Sequence, residues 1–160
     1  MKKITPDRLK NIALFYLERY EASSDKLRTV LKRRLVKAKL EQPISKDAFQ
    51  WIENVVHEMQ RLGYVNDKRF SENLVRRLSS MGKSPSYIKI KLKSAGIDDE
   101  LIAYALSDTD TLTQARLVVQ KKHLGNNFKR DLAYLARMGF PYEIAKEALE
   151  ENSFSSNEDF

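Results

Sequence analysis

Apolar residues recur along this chain at helical spacing from one end to the other. Leu9, Ile12, Ala13, Tyr16, Leu17 and Tyr20 form one stripe at a 3.6-residue period. Leu27, Val30, Leu31, Leu35 and Ala38 form a second, and Ala48, Ile52, Val55, Met59 and Leu62 a third. Phe70, Leu74 and Leu78, then Ile88, Leu92 and Ala95, continue the series. No segment alternates apolar and polar residues with the period of two that marks a half-buried strand. The pattern predicts an all-α chain of nine helices, at roughly 6–20, 24–40, 45–62, 68–81, 85–95, 98–107, 112–124, 127–138 and 141–151.

Glycine and proline punctuate these stripes. Gly63, Gly82, Gly96, Gly125 and Gly139 each follow the end of an apolar pattern, where a helix places a left-handed closing residue. Pro6, Pro85 and Pro141 stand at helix starts, where the missing N–H has no intrahelical partner to lose. Thr5 and Ser84 read as N-caps, with Asp67, Ser45 and Ser23 or Ser24 as further candidates. Thr111 and Gln114 have capping-box spacing, and Asp108 and Asp110 are alternative caps for the same helix.

The nine helices divide into three sets of three. Leu92-Lys93-Ser94-Ala95-Gly96-Ile97-Asp98-Asp99-Glu100-Leu101 aligns with Leu135-Ala136-Arg137-Met138-Gly139-Phe140-Pro141-Tyr142-Glu143-Ile144 at an offset of 43 residues. Ala105-Leu106 and Ala148-Leu149 extend the match. Leu31 and Leu35 correspond to Ile88 and Leu92 at an offset of 57, because the first set has longer helices. The expected organisation is repeat 1 over 1–63, repeat 2 over 64–108, repeat 3 over 109–152 and a frayed tail over 153–160. Units this small cannot bury an apolar face alone and must stack, so an elongated, curved body is expected.

Charge adds a direction to this picture. Residues 1–93 hold 22 Lys/Arg against 10 Asp/Glu, whereas residues 94–160 hold 7 against 12. A strongly basic first part points to a polyanionic partner. The helix at 24–40 concentrates it: Lys26, Arg28, Lys32, Arg33, Arg34, Lys37 and Lys39 follow Asp25 with no acid before Glu41. A helix that is merely solvated mixes signs for i,i+4 support, and this one does not. With the apolar stripe inward, Arg28, Lys32, Arg33 and Lys37 are expected on the far side, placed to track phosphates. Arg69, Arg76 and Arg77, then Lys83, Lys89 and Lys93, are the candidate contacts of the second repeat. Stacked in register, they would extend the same strip.

Other chemistry finds little support. The chain has no cysteine, which removes disulfides and thiolate metal sites. His57 and His123 are its only histidines, every glycine is already assigned to ending a helix, and the carboxylates show no metal-ligand spacing. No catalytic residue, cofactor or metal is expected. No stretch approaches the ~20 apolar residues of a membrane span. Met1-Lys2-Lys3-Ile4-Thr5-Pro6-Asp7 has no apolar core behind it, so a cytoplasmic protein without a secretory signal is expected.

Leu62-Gly63-Tyr64-Val65-Asn66-Asp67-Lys68-Arg69-Phe70-Ser71-Glu72, followed by Arg76-Arg77, Gly82-Lys83-Ser84-Pro85, Ile88, Leu92 and Gly96-Ile97, resembles the RecX family. Ala13-Leu14-Phe15-Tyr16-Leu17 and Asp25-Lys26-Leu27 with Leu31 to Leu35 fit the family's opening repeat, so the resemblance covers roughly residues 10–150. Ser71 departs from it, an alanine being more typical there. The resemblance implies three tandem three-helix repeats. It also implies a modulator that binds the RecA recombinase filament; a monomer that contacts single- and double-stranded DNA is expected. Such a protein lowers the filament's ATP turnover, strand exchange and stimulation of repressor self-cleavage, in recombination and SOS-type repair. Within the hallmark stretch, Tyr64 is expected to close over the preceding turn, Asp67 to cap the next helix and Phe70 to begin its buried stripe. Trp51, beside Ile52 and Val55, reads as core. The competing reading is a DNA-binding protein without a recombinase partner, either sequence-independent or helix-turn-helix-like, since Lys91–Ile97 imitates that turn. The basic residues run along helices instead of clustering at a recognition-helix N-terminus, which favours phosphate tracking.

Overall fold

The computed structural model describes residues 3–40 and 43–155. Within them every regular element is an α-helix: α1 (Pro6–Leu17), α2 (Ser24–Lys39), α3 (Ala48–Arg61), α4 (Asp67–Ser80), α5 (Pro85–Ser94), α6 (Asp99–Leu106), α7 (Thr111–Lys121), α8 (Phe128–Arg137) and α9 (Tyr142–Ser155). They follow one another as three triplets. Two compact units result, one built from the chain up to Ser71 with Ser94–Leu101, the other from Glu72–Lys93 with the chain from Ile102 onward. The second triplet thus contributes to both.

In the first unit α3 packs against both α1 and α2. The stripes meet there: Leu9 and Ala13 from α1, Leu27, Leu31, Leu35 and Ala38 from α2, and Ile52, Val55, Val56 and Met59 from α3 are all buried. Each large aliphatic side chain so placed contributes about 1.5–3 kcal/mol over its exposed state. Trp51 packs partly buried on this cluster, as its neighbours led one to expect. In the second unit α9 packs on α7 and α8. Ala115, Val118 and Val119, Leu135, and Phe140, Ala145, Ala148 and Leu149 form its core.

One joint recurs in the two units. Ser23 is the N-cap of α2, accepting the amide of Lys26, and its hydroxyl donates to the carbonyl of Ala95 just past α5 (2.5 Å). Ser84 precedes α5, accepts the amide of Tyr87, and donates to the carbonyl of Met138 at the end of α8 (2.8 Å). Both serines are fully buried. A hydroxyl carries one donor and two acceptor lone pairs, so a single side chain satisfies an orphan amide of one helix and an orphan carbonyl of another. Each unit thus contains a serine at a helix start that bonds a carbonyl just past the end of another helix, and a glycine follows the accepting carbonyl each time.

Local chemistry differs from expectation at several ends, for reasons visible in the contacts. Asn66, not Asp67, caps α4 through the amide of Arg69 (2.9 Å). Asp67 instead takes the backbone amide (2.7 Å) and hydroxyl (2.6 Å) of Ser24, placing a carboxylate on the amino end of α2 where the macrodipole favours it. Ser71 is buried and donates to the Asp67 carbonyl, which accommodates the hydroxyl where alanine was expected. Tyr64 is 54% exposed; Val65, 2% exposed, closes over α3, its amide reaching back to the Met59 carbonyl. Phe70 is only partly buried. Asp110 caps α7, while Gln114 turns inward to donate to Ser79 (2.7 Å), so no capping box forms with Thr111. α7 ends at Lys121, three residues before its expected limit, because His123 adopts the left-handed conformation (φ 51) ahead of Gly125. α9 continues past its expected end at 151 to Ser155; Ser153 bonds back to the Leu149 carbonyl and Asn152 donates to that of Leu124. Residues 156–160 of the expected tail lie outside the described residues.

The second unit contains a buried carboxylate. Asp131, 1% exposed, caps the turn ahead of α8 by accepting the amides of Gly125 (2.8 Å) and Asn127 (3.3 Å), with Arg130 at 3.0 Å. The Gly125 amide above all holds its pKa below the ordinary 3.8. A depressed carboxylate contributes stability that is present above its unfolded pKa and is lost as pH falls through the folded one. Asp131→Asn is therefore expected to lower unfolding stability by about 2 kcal/mol at neutral pH. Its deficit should shrink below about pH 4, as measured by urea denaturation across pH. An equal deficit at every pH would assign the effect to shape alone.

Candidate nucleic-acid interface

The first unit places the cations of α2 in three sectors. At about 100° per residue, Lys26, Arg33 and Lys37 fall within about 40° of one another on the outer face. All three are exposed, and Lys26 to Lys37 covers about 16 Å along the helix. Lys32 and Lys39 lie on the flank toward α3, also exposed, and Arg34 lies on the flank toward α1. Among the described residues no carboxylate pairs with Lys26, Lys32, Arg33, Arg34, Lys37 or Lys39. Like charges held this close without counterions raise the local potential and favour an anionic ligand.

Arg28 belongs to the fold. Its Nε bonds both oxygens of Glu53 on α3 (2.8 and 3.0 Å) and its guanidinium reaches Asp25 (3.3 Å). The Glu53 carboxylate, foremost, raises its pKa above the ordinary value. What sets it apart from the outer row is its rotation about the helix axis, a difference that depends on where α3 lies. Arg69 is likewise engaged: its guanidinium donates to the Gly63 carbonyl (3.2 Å) and lies 3.8 Å from Glu21, bracing the turn between α3 and α4.

The remaining candidates lie in the second unit. Arg76 and Arg77 are exposed near the end of α4, and Lys89 and Lys93 are exposed on α5, Lys93 making a further interaction. Lys83 is partly buried, and its ammonium stands 5.1 Å from the Tyr87 ring, with that of Lys91 at 5.3 Å. Two cations about one ring make a compact positive cluster. Two cations of α2 outside the predicted set, Arg34 and Lys39, are exposed like Lys26, Lys32, Arg33 and Lys37 within it. The charge run contained both; the burial pattern alone does not rank one exposed cation above another.

No described group of three or more His, Cys, Asp or Glu is arranged to hold a metal ion. His57 is exposed. No described helix is long and apolar enough to cross a membrane.

The chain as a whole is similar to known proteins. The sequence profile of the family described as "RecX, second three-helix domain" matches residues 66–106. The regulatory protein RecX of Myxococcus xanthus (strain DK1622) is 34% identical across 94% of this chain and 89% of its own length. The regulatory protein RecX of Bacillus velezensis is 29% identical over 68% of this chain, a stretch that makes up 45% of that longer relative. The crystal structure of RecX from Lactobacillus salivarius shares the fold with a TM-score of 0.74 at 22% identity, covering 93% of this chain and 97% of that one.

Proposed function

Because the chain belongs to the RecX family of regulatory proteins, we propose that it binds the RecA–DNA filament and restrains its ATPase, strand-exchange and coprotease activities. The observation that carries this reading is the outer face of α2, where Lys26, Arg33 and Lys37 stand exposed without a described counterion. Such a face attracts DNA phosphates through release of condensed counterions, independent of sequence. Lys32 on the same helix, and Arg76, Arg77, Lys83, Lys89 and Lys93 in the second unit, are further contacts to the filament or its DNA. Arg28 holds α2 to α3 through Glu53, and Arg69 braces the turn between α3 and α4. A chain that touches neighbouring recombinase subunits hinders their rearrangement during ATP turnover and obstructs entry of a second DNA. No catalytic step is assigned to it. We assign it to the cytoplasm, acting as a monomer on filaments formed over single-stranded DNA.

The deciding experiment is recombinase ATPase on single-stranded DNA with the purified protein titrated in. A dose-dependent fall at sub-stoichiometric to equimolar protein is expected. Unchanged ATPase, with DNA binding intact, would leave a DNA-binding protein that has no recombinase partner.

A further inference from the structure

The α1 side of α2 opens into a groove whose chemistry goes beyond phosphate attraction. Lys3, Arg8, Ile12, Phe15 and Arg34 line an open cleft of about 500 Å³, with Asp7 the only acid among the described residues of its wall. That volume lies within the ~300–1,000 Å³ of small-molecule sites. Phe15 is 56% exposed although it stands on a helix that buries Leu9 and Ala13. The guanidinium of Arg19 lies 3.9 Å from the centre of its ring, covering one face. Lys3, Arg8 and Arg34 thus share a groove with a half-exposed aromatic ring, which combines the two elements that single-strand sites use, charge for the backbone and a ring for the base.

We infer that this groove holds one nucleotide of a single strand, its phosphate among Lys3, Arg8 and Arg34 and its base stacked on Phe15 beside Ile12. The inference rests on the proposed contact of α2 with DNA and adds a preference within it. A paired base has both faces covered by its neighbours in the duplex, so only an unpaired one offers a face to the ring. An acidic protein segment would satisfy the cations and leave the ring unused.

The test compares the full-length protein with Phe15→Ala and Arg34→Glu on a labelled short oligothymidylate and on an abasic strand of equal length. Phe15→Ala should weaken oligothymidylate binding roughly tenfold and leave the abasic strand unaffected. Arg34→Glu should weaken both. Phe15→Trp should retain affinity, its added indole fluorescence being quenched by oligothymidylate. Thermal melts confirm that each variant is folded. The inference is overturned if Phe15→Ala leaves oligothymidylate binding unchanged, if it lowers both strands equally, or if polyglutamate competes as well as oligothymidylate. Failure of the α2 reading is separable. Charge reversal on the outer face that spares both strands, with the base-dependent effect of Phe15→Ala retained, removes the former and supports the groove.

Discussion

Exchange of Lys26, Lys32, Arg33 and Lys37 together for glutamate is expected to weaken duplex DNA binding by on the order of a hundredfold at low salt. The dependence of log affinity on log salt should become shallower by about 0.9 for each phosphate that no longer meets a cation. Recombinase inhibition should fall in parallel. The four side chains are exposed and pair with no described carboxylate, so their removal breaks no internal bond and relieves mutual repulsion. The fold should therefore survive, which a thermal melt checks. Arg28→Glu would set a third carboxylate against Glu53 and Asp25 and lower stability before it informed on binding. DNA affinity across a salt series, read by anisotropy, and the ATPase titration give the two readouts. Inhibition unaltered while DNA affinity collapses would move the filament contact off α2.

Gly96→Ala and Gly139→Ala should each lower unfolding stability by about 2–4 kcal/mol, whereas Gly63→Ala should lower it by about 1 kcal/mol. All three glycines have φ in the left-handed region (74, 96 and 79). An alanine at any of them pays the backbone term of roughly 1–2 kcal/mol. Around Gly63 a methyl would meet nothing. At Gly96 it would collide with the Asp25 side chain, and at Gly139 it would lie 2.7 Å from the Ser84 hydroxyl. These are the two joints in which a capping serine bonds the carbonyl just before the glycine, at Ala95 and Met138. Moving Ser84 aside to admit the methyl would break its bond to Met138, and moving Asp25 would disturb its neighbour Ser24, which Asp67 holds. Chemical denaturation of the three variants distinguishes the cases. Equal destabilisation at all three would show that backbone conformation alone sets the glycine requirement.

The hallmark stretch Gly63 to Glu72 illustrates how far residue pattern reaches. Its helix end and helix start were legible, since a glycine after an apolar stripe and a polar residue before the next one have local causes. Which residue does which task was not. Asn66 and Asp67 are both competent caps, and the choice fell to Asn66 because Ser24, distant in sequence, lies where it engages the carboxylate of Asp67. Tyr64 and Val65 are both apolar enough to close the turn, and Val65 is the one that points inward. At α7 the polar residue before Thr111 competes with Thr111 itself, and Gln114 is drawn off by Ser79 of another helix.

For the interface the division is similar. The charge run along α2 was visible in full, and so was the side that the apolar stripe turns inward. The sequence did not distinguish Arg28 from Lys32 and Arg33, because that depends on Glu53 standing across from it on α3. In the sequence Phe15 is only part of an opening-repeat motif; Arg34 joins Arg8 in its groove because α2 lies against α1.

Helical period, capping residues and the internal 43-residue match are interactions within a few turns of chain, or repetitions of them. From sequence they determined that this protein is all-α, the order and approximate place of its helices and which of them carries the charge. Tertiary structure alone decided which cations stand without a described carboxylate, which serines bond a carbonyl of another helix and which glycines must stay glycine. Those depend on side chains brought together from distant positions, and a one-dimensional pattern contains the faces of each helix but not the neighbour each face will meet.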